Sequence, residues 1–272
     1  MSKTLCYIFS VGERFKPLAK CAATSFKKWH PHIDVRWEYF STLSTAPKTN
    51  VHNGLGVAKY EYAYKHAVEG NYDRVIILGA DTITCSYLNE FFNNTQDILC
   101  TLDYPYQLHT QYVLTPPGDF HVNADVVCFN NLNALNEVIK VTKTCPTHFC
   151  EQGGLNQLIY NFNTQFTHLI VDGPYNTTPH IYNARSKGNI NYTIGDEERR
   201  CYAKYTTKMY VKDNKLFSFD DKQIKVWHYC DAFGALPLEV FKNRLNNWIT
   251  NLLNNETKQF WTTHCACGDF YK

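Results

Sequence analysis

The residues best able to do chemistry in this chain are acidic, and they stand where acid is costly. Residues 75–84, VIILGADTIT, run apolar, pass Gly79 and Ala80, and arrive at Asp81. Residues 122–129, VNADVVCF, hold Asp125 inside a second apolar run. A charge buried in an apolar strand is unfavourable unless something pairs with it. A carboxylate oxygen in such a place can ligate a hard cation or accept hydrogen bonds. Glu151 and Gln152 open a third candidate segment, 151–160, EQGGLNQLIY, and His228 lies in a fourth, 226–237, VWHYCDAFGALP. Taken singly, each has a plain reading. Asp81 could cap a helix, His228 could be a satisfied structural histidine, and Asp125 and Glu151 could face solvent. Their setting decides.

The setting is an alternation of strands and helices. Residues 4–11, TLCYIFSV, read as a buried strand, and 15–29, FKPLAKCAATSFKKW, carry apolar groups at helical spacing. The sequence His30-Pro31-His32 reads as a solvated turn before a strand at 33–40. Residues 41–55 read as loop, and 56–69 as a helix stopped by Gly70. The strand leading to Asp81 follows. This β-α-β-α-β order predicts an α/β fold, with an open, mixed but mostly parallel sheet flanked by helices on both faces. In such sheets ligands sit outside the carboxyl ends of the strands, which is where Asp81 falls.

Further strands are predicted at 97–102, 122–129 and 166–171, and helices at 131–143 and 151–161. Residues 172–200 read as an irregular segment near the site. A hairpin around Asp213-Asn214 joins strands near 202–211 and 214–219, and a strand at 223–229 precedes an amphipathic helix at 237–253. No internal repeat, linker or boundary divides the chain, so residues 1–272 read as a single domain.

Composition narrows the partners. With 44% hydrophobic residues the chain can bury a large core, and a net charge of +2 gives no footing for a nucleic-acid coat. The expected partner is a small molecule or another neutral surface. No apolar run approaches the roughly 20 residues of a membrane span, and the opening MSKTLCYIFSVGERF does not read as a signal peptide. The expected setting is the cytoplasm, with a bacterial or viral origin. Eleven scattered cysteines then read as reduced core thiols rather than a disulfide framework. The Asn-x-Ser/Thr matches read as chance. The tail 264–272, HCACGDFYK, lacks the paired spacing of a structural zinc site.

Together these segments resemble, in order, the motifs of the GT-A fold glycosyltransferases. The likeness is strongest to the family 8 retaining enzymes of the glycogenin and lipopolysaccharide galactosyltransferase type. Five places spanning most of the chain carry the resemblance. Residues 8–19, IFSVGERFKPLA, match the turn that holds the nucleotide base, which implies donor contacts for Phe9, Val11 and Phe15. Lys59 matches a basic residue that reaches the donor's phosphates or sugar.

LGADTIT resembles the Asp-x-Asp motif, with Gly79 in place of the first Asp. The resemblance makes Asp81 a metal ligand and puts Gly79 and Ala80 beside the donor. Residues 121–131, HVNADVVCFNN, resemble the Asn-Ala-Gly segment past the donor sugar. Asn123 and Ala124 match, and Asp125 replaces a small residue. There it would bond sugar hydroxyls or supply the charge lost at Gly79. Glu151 and Gln152 match the Asp-Gln start of a helix beside the transferred sugar. His228 matches a metal-binding His, while Asp231 replaces a Gly and the usual Lys is missing, a gap that Lys225 or Lys187 could fill.

The resemblance therefore implies a glycosyltransferase that moves a sugar from a nucleoside diphosphate sugar, UDP-linked by preference, to a glycan or other hydroxyl acceptor. It also implies retention of configuration, Mn²⁺ or Mg²⁺ at Asp81 and His228, and catalytic roles for Asp125, Glu151 and Gln152. Two other classes stay open. One is a catalytically weak or inactive sugar-nucleotide or glycan binder, which the loss of the first Asp would suit. The other is a sugar nucleotidyltransferase, whose Gly-rich basic loop VGERFKP matches poorly.

Overall fold

The computed structural model describes residues 2–13, 15–41, 51–102, 122–145, 150–160, 165–171, 175, 210–217, 221–228 and 247–260. Its centre is a six-stranded sheet in the order β2-β1-β3-β6-β5-β7. The strands are β1 (Thr4–Val11), β2 (Asp34–Phe40), β3 (Arg74–Gly79), β5 (Ile98–Leu102), β6 (Val122–Phe129) and β7 (His168–Val171). Strands β2, β1 and β3 run parallel, and β5 and β7 run parallel to each other. Strand β6 lies between β3 and β5 and is antiparallel to both. The sheet is thus mixed and mostly parallel, as its sequence pattern predicts.

The central strands β1, β3 and β6 read as largely apolar runs because both faces are covered. Helix α1 (Phe15–Trp29) sits on one face with α3 (Asn89–Asn93). Their Ala22, Phe26 and Phe91 pack on Cys6, Ile8, Ile76, Leu78 and Cys128. On the other face, α2 (Val51–Glu69), α4 (Leu132–Thr144) and α5 (Cys150–Tyr160) bury Tyr60, Leu135 and Leu155 against Tyr7, Ile77 and Val127. The six described thiols that are buried, Cys6, Cys21, Cys85, Cys100, Cys128 and Cys145, are all free.

The stretch VIILGADTIT is two strands rather than one. Strand β3 stops at Gly79, the chain turns at Ala80 and Asp81, and β4 (Thr82–Thr84) leaves the sheet. Thr82 Oγ1 donates to the Gly79 carbonyl at 2.8 Å and fastens the turn. Strand β4 pairs antiparallel with β10 (Val226–His228), setting Thr82 opposite His228. Beneath this ribbon a separate cluster joins Leu18 and Cys21 of α1 to Ile83, Trp227, Trp248 and Ile249. The hairpin β8 (Tyr210–Lys212) to β9 (Lys215–Phe217) adds Leu216, and its turn residues Asp213 and Asn214 both have positive φ, at 48° and 57°. Such values favour Asp and Asn in a two-residue hairpin turn. The last named helix is α6 (Asn255–Phe260). No described helix is long and apolar enough to cross a membrane.

Two local readings change. Helix α2 begins at Val51, not at residue 56, so part of the expected loop is helical. His30 is not in a solvated turn: it is 2% exposed and stacked among Phe26, Tyr87 and Phe92, with ring centroids 4.4, 4.5 and 5.2 Å away. The predicted helix at 237–253 is described only from residue 247. The segments 172–174, 176–209, 229–246 and 261–272, with Lys187, Asp231 and the HCACGDFYK tail, lie outside the described residues.

Candidate active site

The site forms where β1 and β3 end and β6 begins. Because β6 is antiparallel, its first residues enter the sheet at the edge from which β1 and β3 leave, with Leu78 opposite Val126. Asp125 therefore stands beside Gly79. A cavity of about 280 Å³ opens there, lined by Phe9, Ser10, Val11, Phe15, Gly56, Lys59, Gly79, Ala80, Asp81, Asp125 and Glu151. The residues converge from β1, α1, α2, β3, the turn after β3, β6 and α5.

Glycine makes room at two of these points. A Cβ on Gly79 would lie 3.0 Å from Asp125 Cβ and 3.0 Å from Asp81 Oδ1. The Asp125 side chain thus takes the space that a side chain at position 79 would need. A Cβ on Gly56 would lie 2.2 Å from Glu151 Oε2, so Glu151 passes directly over helix α2.

The charges are arranged around a buried ammonium. Lys59 is 8% exposed in its side chain, and its Nζ donates to Asp125 Oδ1 at 2.6 Å and to the Ala124 carbonyl at 3.2 Å. Burial pulls the Lys59 pKa down, but Asp125, then Glu151 and Asp81, outweigh it and leave the pKa raised. Burial likewise disfavours charge on Asp125, whose side chain is 35% exposed, yet Lys59 and then His228 hold its pKa below the ordinary value. Both groups are charged at neutral pH. Asp81 Oδ1 lies 3.3 Å from His228 Nε2, with His228 4% and Asp81 19% exposed in their side chains.

Other predicted residues stand behind this surface. Asn123 is buried and accepts a hydrogen bond from the Asp125 backbone at 2.8 Å. Ala124 is buried and offers its carbonyl to Lys59. Gln152 opens α5 next to Glu151, and its carbonyl accepts from Asn156 Nδ2 at 2.7 Å. None of these three lines the cavity, and His228 stands beside it against Asp81. Ser10 and Gly56 line it without having been singled out from the sequence. Gly56 stands at the first position of the helix read at 56–69, where a glycine carries no local sign of close packing. Lys225, proposed to fill the missing phosphate contact, donates instead to the Tyr87 carbonyl at 3.2 Å.

Asn156 fixes α5 to β6. It is fully buried and pairs with both backbone groups of Val122, accepting from its N–H and donating to its C=O, each at 2.9 Å. The helix that carries Glu151 and Gln152 is thereby locked to the strand that carries Asp125.

A larger cavity, about 1000 Å³, lies against edge strand β2 and is lined by Lys20, Arg36, Trp37, His66 and Tyr72, among others. Several of its polar groups are already partnered: Arg36 and His66 with Glu38, each at 3.0 Å, and Lys20 with Glu256. It is the larger hollow, but the smaller one holds the convergent carboxylates at the strand ends, where ligands bind in such sheets.

The donors present bear on a divalent cation. An oxygen and an imidazole nitrogen 3.3 Å apart have the chemistry and the spacing for neighbouring ligands of one Mn²⁺. Among the described residues no group of three His, Cys, Asp or Glu side chains converges as a cation site. Among the described residues, Asp81 and His228 offer two such donors side by side.

No family model matches the chain, and no curated protein does. Solved structures do. The bifunctional glycosyltransferase WbbM superposes with a TM-score of 0.57 at 12% identity, over 96% of this chain and 51% of WbbM. The glycosyltransferase GlyE of Streptococcus pneumoniae TIGR4 gives 0.55 at 13% identity, over 98% of this chain and 64% of GlyE. The chain thus spans about half and under two thirds of these two proteins. The galactosyltransferase LgtC, in complex with donor and acceptor sugar analogs, gives 0.49 at 14% identity, over 95% of this chain and 99% of LgtC. The chain has a fold like that of the family 8 GT-A glycosyltransferases, with its mixed sheet and flanking helices.

Proposed function

We propose that this chain is a glycosyltransferase of the cytoplasm that moves a sugar from a UDP-sugar to a hydroxyl acceptor. One observation carries the reading: at the strand ends of a GT-A fold, a cavity gathers Asp81, Asp125, Glu151 and a buried Lys59, with aromatic Phe9 and Phe15 on its wall. Phe9, Val11 and Phe15 would take the base, and Gly79 and Ala80 would let the backbone approach the diphosphate. Asn123 and Ala124 would shape β6 beside the sugar.

Charge balance favours a metal-assisted site. Asp81, Asp125 and Glu151 outnumber Lys59 by two negative charges (three minus one), and a diphosphate brings at least two more. Asp81 and His228 would hold Mn²⁺ or Mg²⁺, which when bound neutralises the diphosphate and stabilises it as a leaving group. Asp125 would accept hydrogen bonds from the sugar's hydroxyls. Glu151 and Gln152 would stabilise positive charge on the sugar as its bond to the diphosphate weakens.

In the retaining course that we propose, the acceptor hydroxyl approaches from the face the diphosphate leaves. A bond forms between the acceptor oxygen and the anomeric carbon, and the bond from that carbon to the diphosphate oxygen breaks. The hydroxyl proton passes to the departing diphosphate.

The test is calorimetric titration with UDP- and GDP-sugars, with and without Mn²⁺, beside Asp81→Ala. The expected result is UDP-sugar binding that needs Mn²⁺ and is lost in the variant. Binding indifferent to Mn²⁺ would overturn the metal assignment, and absence of any nucleotide binding would overturn the donor site.

A further inference from the structure

Three elements converge on one carboxylate. Lys59 of α2 grips Asp125 Oδ1 at 2.6 Å and, by also bonding the Ala124 carbonyl at 3.2 Å, ties that grip to the strand itself. Asn123 accepts from the Asp125 backbone N–H. Gly79 of β3 leaves the space into which the Asp125 side chain lies, since its own Cβ would come within 3.0 Å of Asp125 Cβ and 3.2 Å of Cγ. The second oxygen, Oδ2, has no hydrogen-bond partner among the described residues, and Asp125 lines the cavity. A buried ammonium that spends two donors on β6 has little left for a ligand.

We infer that Lys59 and Gly79 are positioning residues that hold Asp125 with one oxygen turned to the transferred sugar, and that Lys59 does not itself touch the donor. Gly79 is then more than a lost Asp: it is the gap that admits a carboxylate from the neighbouring strand. Asp125 becomes the specificity-determining residue, accepting from a donor-sugar hydroxyl. The inference rests on the donor-site reading above.

The experiment compares affinities for UDP, UDP-glucose and UDP-galactose in Mn²⁺, by calorimetry, for wild type, Asp125→Asn, Lys59→Met, the double variant and Gly79→Ala. The quantity read is the ratio of UDP-sugar to UDP affinity, which isolates the sugar's share. One hydrogen bond to a charged group is worth about a tenfold to hundredfold change, so Asp125→Asn should lower the ratio by that factor for the preferred sugar. Lys59→Met and Gly79→Ala should lower it comparably.

The double variant decides between contact and positioning. If Lys59 acts through Asp125, the double variant is no worse than Asp125→Asn. It also removes both charges of the pair, so it folds even if Lys59→Met does not, as thermal melting will show. A ratio that falls in the double variant by the product of the single losses would overturn the positioning role. A ratio unmoved by Asp125→Asn would overturn the specificity role. Failure of wild type to bind UDP or either sugar nucleotide is a different result, and removes the donor-site reading beneath.

Discussion

Gly154→Ala tests whether the spacing of two helices sets the site. In an ordinary helix interior this change stabilises by about 1 kcal/mol, because alanine gives up less backbone freedom than glycine. Here the sign should reverse. A Cβ on Gly154 would lie 2.4 Å from Thr142 Oγ1, 2.9 Å from Thr142 Cα and 3.0 Å from Thr142 N, where α4 and α5 meet. Ordinary van der Waals separation begins at 3.4 Å. Rotating the hydroxyl relieves the first clash, but the other two are with backbone, so the helices must part by about half an ångström. Thr142 is 1% exposed, which leaves no slack around it. Overpacking of this kind costs about 1–3 kcal/mol. Set against the propensity gain, the net should be a loss of up to roughly 2 kcal/mol. Urea unfolding followed by circular dichroism reads it as a lower midpoint at constant slope. Thr142→Ala in the same background should restore only part, because the clash with the backbone at position 142 persists. Nucleotide affinity should fall as well, since Glu151 and Gln152 ride on α5 just ahead of Gly154. A variant more stable than wild type would refute the reasoning, and with it the claim that the α4–α5 approach fixes those side chains.

Two further outcomes follow from single residues. Asn156→Leu strips the partners from the buried N–H and C=O of Val122; at about 1–3 kcal/mol for each, urea unfolding should show a loss of roughly 2–6 kcal/mol, and a loss below about 1 would sink the clamp assignment. His30 has a pKa lowered to about 4 by burial, so the unfolded chain binds its proton first. Its contribution is complete above the unfolded value of about 6.5 and fades as pH falls towards 4. The slope of stability against pH in that window should flatten in His30→Leu, and an unchanged slope would place the proton uptake elsewhere.

What could be read from the sequence, and what could not, divides by range. Strands β1, β3 and β6 are legible because burial on both faces leaves an apolar run with few alternatives, and the predicted ends of β1 and β6 match the observed ones. Local chemistry also marked the β8–β9 turn, since Asp213-Asn214 tolerates the positive φ it needs. Helix α2 was cut short because Asn53 and Gly54 are poor helix formers, yet the helix runs through them. His30 misled for a related reason. Beside a proline it looks like a turn residue, and what buries it, Tyr87 and Phe92, lies more than fifty residues along the chain.

The cavity follows the same division. Asp81 stands out locally, as a charge after an apolar strand. That Asp125 fills the gap at Gly79 does not, because it depends on β6 running antiparallel beside β3. Nor could spacing show that Lys59 donates to Asp125. Read alone, Gly79 is a missing metal ligand and Lys59 a phosphate hook. In the folded chain both surround one carboxylate. On the proposed reading, the departure from the Asp-x-Asp pattern would bear on which sugar the cavity admits as well as on how it holds a metal, and the Lys59→Met, Asp125→Asn pair tests whether Lys59 acts through that carboxylate.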